Sequence, residues 1–158
     1  MEQIIQLNSQ AKLSEHFTLG EMTKSNSHPE VYNIPSHEAI ANLKRLCGWL
    51  EELRKRYNQK YGVGEEPVRI NSGYRSPQLN RAIHGNAKSN HMTGCACDIR
   101  VSGMEQALRY AVILMDYADE SKQEFDELLI EKNRYGAIWL HFAVRPSNNR
   151  RKITFINA

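Results

Sequence analysis

The sequence predicts an α+β fold, a small antiparallel sheet flanked by helices, and three observations point there. A long helical stripe runs through Ile40, Leu43, Leu46, Cys47, Leu50 and Leu53. A second helical stretch begins at Met104, and short apolar or alternating runs fill most of the remaining second half.

Taken in order, residues 1 to 35 read as irregular apart from a short helix at Thr18 to Lys24, where Thr18 and Glu21 have the spacing of a capping box. Ser36 opens the longest helix, which runs to about Tyr57. Val68 to Ser72 reads as a strand. Ser76-Pro77 starts a short helix with proline at its first position. Gly85 to Asn90 is a polar loop, and Met92-Thr93-Gly94 is a turn into a strand from Cys95 to Val101. A helix spans Met104 to about Tyr117. Phe125 to Glu131, Ala137 to Val144 and Lys152 to Ile156 then read as three antiparallel strands. No internal repeat or low-complexity segment interrupts this order, so residues 1 to 158 are expected to form a single domain.

Composition narrows the class. The chain has 158 residues, 41% apolar and 25% charged, which suits a soluble domain able to bury a core. Its net charge of +3 is mild, and the one basic run, Arg150-Arg151-Lys152, has no interleaved aromatic platform, so nucleic acid is not an expected partner. No apolar stretch approaches the roughly twenty residues of a membrane span. Met1 to Gln6 lack the basic opening and apolar segment of a signal peptide, so a cytoplasmic chain is expected as synthesised. The three cysteines, Cys47, Cys95 and Cys97, make no disulfide framework and read as small buried hydrophobes.

The chemistry concentrates at Ser89 to Asp98 and at Trp139-Leu140-His141. His91, Asp98 and His141 supply two imidazoles and one carboxylate, the ligand number of an open zinc site that keeps a position for water. Taken singly, His141 in an apolar strand reads as a hydrogen-bonded core residue and Asp98 as a strand-end or capping residue. Alternation puts Trp139, His141 and Ala143 on one face of their strand and Ile138, Leu140, Phe142 and Val144 on the other.

Four segments together carry a family resemblance. They are Leu13-Ser14-Glu15-His16-Phe17-Thr18-Leu19, Ser72-Gly73-Tyr74-Arg75-Ser76, the Ser-x-His-x-x-Gly-x-Ala-x-Asp run from Ser89 to Asp98, and Trp139-Leu140-His141. In this order they resemble the zinc D-Ala-D-Ala carboxypeptidases and related phage endolysin peptidases, whose fold is shared by the Hedgehog signalling domain. The resemblance implies a Zn2+ cofactor held by His91, Asp98 and His141, and a substrate drawn from peptidoglycan stem or cross-bridge peptides. It also implies a chain that acts on the cell wall once released, for example by phage lysis; from charge and hydropathy neither nucleic acid nor membrane is an expected partner, and a monomer is expected.

Within that resemblance, Arg75 matches an arginine that contacts substrate, as a guanidinium fork can hold a carboxylate bidentately; a structural tie to Asp98 is the alternative. Ser89 is similar to a substrate-binding serine, or it caps the turn. Trp139 walls the zinc, stacks on substrate or packs in the core. Many relatives carry the general base two or three residues before the last ligand, where this chain has Ile138 and Trp139. Glu131 is the candidate base instead, with Asp126, Glu127 and His84 as fallbacks, although His84 also reads as a helix C-terminal residue. Two other classes remain open, a catalytically inactive zinc-stabilised wall-binding module and a phage or mobile-element assembly protein that retains the fold.

Overall fold

Helix α2 (His37–Tyr61) organises the molecule, and its start follows from local chemistry: the Ser36 hydroxyl accepts from the Ala39 N–H at 3.1 Å. Leu43, Leu46, Cys47, Trp49, Leu50, Leu53 and Tyr57 of α2 are buried, so the apolar stripe is the core face. The computed structural model describes residues 8–25, 27–62 and 64–157. The expected absence of a leader rests on Met1 to Gln6, which lie outside this range.

Short helix α1 (Leu19–Thr23) precedes α2, and β1 (Ile70–Ser72), α3 (Pro77–Ala82) and a 3-10 turn at Asn90–Thr93 follow it. Then come β2 (Ala96–Arg100), α4 (Met104–Ser121), β3 (Glu127–Lys132), β4 (Ile138–Ala143) and β5 (Lys152–Asn157). Thr18 and Ser76 cap α1 and α3 as their positions predict. Helices α2 and α4 each run four residues past their expected ends at Tyr57 and Tyr117. Among the described residues, no helix is long and apolar enough to cross a membrane.

The five strands form one sheet in the order β1-β2-β4-β3-β5. One face packs on α2 and α4. Cys97, Ile99, Leu128, Leu140 and Phe142 point there, and the Phe142 ring lies 5.5 Å from that of Trp49. The expectation of three antiparallel C-terminal strands is corrected in one pair, because β5 runs parallel to β3. Strand β4 ends at the edge where β3 begins, so a chain that crosses directly to the far side of β3 must run in the direction of β3. All three cysteines are free and buried.

Candidate metal centre

Period-two alternation that sends Ile99 and Leu140 into the core turns Asp98 and His141 to the other face, where the β2–β4 register sets them directly opposite one another. His91 arrives from the 3-10 turn. The Ser89 hydroxyl accepts from the His91 N–H at 3.1 Å, and Gly94 closes the turn at φ +76°. A side chain at Gly94 would also collide with the Ala39 carbonyl, so the turn requires glycine. His91 is thereby delivered to the start of β2, only 2% exposed.

A hydrogen bond to a backbone carbonyl settles which nitrogen of His91 is free. His91 Nδ1 lies 2.7 Å from the Gly73 carbonyl, which can only accept, so Nδ1 carries the proton and Nε2 the lone pair. That Nε2 is buried, without a hydrogen-bond partner among the described residues, and 3.4 Å from Asp98 Oδ1. A lone pair facing a carboxylate oxygen out of water is unfavourable unless a cation lies between them. His141 Nε2 sits 3.0 Å from Glu127 Oε1 and its Nδ1 3.1 Å from Asp98 Oδ1. A proton given by Nε2 to Glu127 leaves Nδ1 aimed at the same point. The ligand atoms of His91, Asp98 and His141 all lie within 4.8 Å of one another, a group able to hold a metal ion.

Electrostatics follow the geometry. Burial would raise the Asp98 carboxyl, but the two imidazoles outweigh it and hold Asp98 well below the usual carboxylate range. Burial likewise opposes charge on His141, yet the hydrogen bonds to Asp98 and Glu127 prevail and lift it to about 9. Two carboxylates that stabilise an imidazolium this strongly offer the same attraction to a metal cation in the proton's place. The three residues line an open cleft of about 510 Å³, together with Arg75, Ser89, Glu127 and Glu131.

The family model for peptidase M15 matches residues 15–126. The chain belongs to the peptidase M15 family. A zinc D-Ala-D-Ala carboxypeptidase of Streptomyces albus G is 28% identical over 96 residues, which cover 61% of this chain. The match spans 35% of that relative's length. The family match contains His91 and Asp98 but stops short of His141 and Glu131, so the place of the latter two in this M15 chain comes from sheet register.

That register sets Leu129 of β3 opposite His141, so Glu127 and Glu131 flank it on the cleft face. The two glutamates differ. The His141 hydrogen bond holds the Glu127 carboxyl below its ordinary value, whereas burial and then the charge of Asp98 push Glu131 up. The Trp139 indole N–H donates to Glu131 Oε2 at 2.7 Å, so Trp139 orients that carboxylate. Arg75 donates to Asn80 at 3.1 Å and stands 3.8 Å from Asp98 Oδ2, with its buried Nε unpartnered among the described residues. Ser89 caps the turn and also lines the cleft.

Other residues fall elsewhere. Asp126 precedes β3, fully buried, and is bound by Arg150 and Asn90, so it is unsuited to the fallback base role. His84 follows α3 at φ +59° with its N–H donating to the Arg81 carbonyl, outside the lining of the cleft. Sequence reasoning missed Asn90, which donates to both Asp126 and Glu127, and the orienting contact of Glu127 on His141. Only strand register could have revealed the latter.

Proposed function

We propose that this chain is a zinc-dependent peptidase that hydrolyses amide bonds of peptidoglycan stem or cross-bridge peptides, with His91, Asp98 and His141 as ligands. The observation that carries the reading is the buried, unpartnered His91 Nε2, aimed with His141 Nδ1 at one carboxylate in an M15 chain. Two imidazoles and a carboxylate suit zinc, with a coordination position left for water. The printed activity of the Streptomyces albus G relative supports the substrate class.

When bound, zinc supplies Lewis acidity that makes a nearby water easier to deprotonate and polarises the scissile carbonyl. The chain's own groups do the rest. Glu131, kept in place by Trp139, takes the proton of the attacking water and returns it to the departing amine. Its raised proton affinity suits that exchange. Glu127 holds the His141 Nε2 proton, so the ring presents Nδ1. The Arg75 fork and Ser89 bind the substrate backbone or its carboxylate from the cleft wall.

Purified protein incubated with defined muropeptides, with and without a chelator, tests the proposal by mass spectrometry. Chelator-sensitive cleavage at an amide bond is expected, with about one zinc per chain by elemental analysis and none in His141→Ala. Cleavage that survives the chelator, or full zinc in His141→Ala, would overturn it.

A further inference from the structure

The cleft carries a cationic feature that hydrolysis does not require. Asp126, with no exposed surface, binds two arginines at once. Arg150 grips it as a fork, Nε to Oδ1 at 3.0 Å and Nη2 to Oδ2 at 2.8 Å, and its backbone N–H adds a third bond at 3.0 Å. Arg145 Nε lies 3.2 Å from the same Oδ2 and donates to Asn90 Oδ1 at 3.0 Å. The loop between them is pinned as well, since Asn149 accepts from the Arg145 N–H and donates to its carbonyl.

A loop staple would need Arg150 alone. Arg150 also stands 3.6 Å from Glu127, so its charge is met on two sides, and the group left open to a ligand is Arg145. Its Nε is engaged, while its two terminal nitrogens have no partner among the described residues. The Arg145 side chain is 31% exposed and that of Arg150 49%, and both line the metal cleft. The charge balance of the whole cleft agrees. Lys88 and Lys152 join the three arginines there, five cations against four carboxylates when Asp126 beneath Arg145 and Arg150 is counted with Asp98, Glu127 and Glu131.

We propose that Arg145, braced by Asp126 and Asn90, is a carboxylate-binding subsite that anchors an acidic group of the substrate away from the cut bond. This rests on the peptidase reading above and narrows its substrate to peptides with a free carboxylate besides the one that Arg75 can take. Arg75 stands by Asp98 and feels the charge of Glu131, whereas Arg145 shares Asn90 with Glu127. The two anchors therefore belong to opposite glutamates of β3. Arg145 lies four residues beyond His141, past the end of β4, so its subsite stands off the metal ligands at the Glu127 side of the cleft.

Stem peptides in which each free carboxylate is converted singly to an amide test this on wild type, Arg145→Gln and Arg145→Lys. Binding is read by calorimetry in chelator and turnover with zinc. Amidation of one particular carboxylate should weaken wild-type binding about tenfold or more, the scale of a charge-assisted bidentate contact. Arg145→Gln should lose a similar factor on the free acid, Arg145→Lys less, and the two changes combined should cost no more than about either alone. Losses that simply multiply would make Arg145 a structural residue. Cleavage indifferent to every amidation would overturn the anchor and leave the peptidase standing. Acid-dependent binding without cleavage would do the reverse, and no binding of any stem peptide would overturn both.

Discussion

At the scale of single residues, the centre depends on tautomers as much as on ligand identity. A neutral imidazole ligates through the nitrogen that lacks the proton, so whatever accepts the other nitrogen's proton selects the ligand atom. For His91 that acceptor is a backbone carbonyl, which no substitution removes. For His141 it is Glu127, which can be removed. Glu127→Ala should weaken zinc binding roughly 10–100-fold, the range for lost outer-shell partners, while Glu127→Gln keeps an accepting oxygen and should lose less. Competition with a chelating dye measures both, and equal affinities for all three proteins would refute the orienting role. Glu131→Gln separates chemistry from ligation. It should keep the metal and the fold and lower the catalytic rate about 10²–10⁴-fold, as expected for a missing general base. Loss of zinc in this variant, or an unchanged rate, would remove Glu131 from the mechanism.

Among the elements, helix starts were legible and helix ends were not. Thr18, Ser36 and Ser76 each accept a backbone N–H at their predicted N-caps, because capping is chemistry confined to one turn. Helix α2 continues past Tyr57 because Tyr57 and Tyr61 pack together, rings 5.3 Å apart, and Tyr57 meets Tyr110 of α4 edge-on. The second of these contacts joins residues distant in sequence. The parallel β5 was hidden for the same reason, since nothing within Lys152 to Asn157 says which neighbour it will join. His91, Asp98 and His141 were readable as a set, but Glu127 and Asn90 gain their meaning only from the β3–β4 register and the turn before β2.

The loop that leads into β5 gives a prediction at this same scale. Burial would raise the Asp126 carboxyl, but the hydrogen bonds from Arg150 and Asn90 outweigh it and lower it from 3.8 to about 2. A depressed carboxylate stabilises the fold above its unfolded value and loses that contribution as pH falls through the folded one. Unfolding free energy should therefore decline between about pH 4 and pH 2 on this account. Asp126→Asn should reduce that acid-dependent loss and cost about 3 kcal/mol at neutral pH, as for a broken buried pair. Urea titrations across the range decide it, and a variant with wild-type stability would mean the loop is held by other bonds.

For the whole molecule, the arrangement of the ligands matters beyond catalysis. His91 comes from a turn, Asp98 from β2 and His141 from β4, 43 residues after Asp98, so the proposed ligands meet only when the sheet has assembled. A ligand that binds the folded chain and not the unfolded one stabilises it by mass action, about 4 kcal/mol at a thousandfold excess over its dissociation constant. The melting temperature should climb with the logarithm of free zinc in wild type and stay flat in His141→Ala, as differential scanning fluorimetry in zinc buffers would record; a flat wild-type curve would count against the site. Metal supply would then govern survival as well as turnover: a chain deprived of zinc opens more often, meets proteases more often, and has a shorter lifetime than its loaded twin.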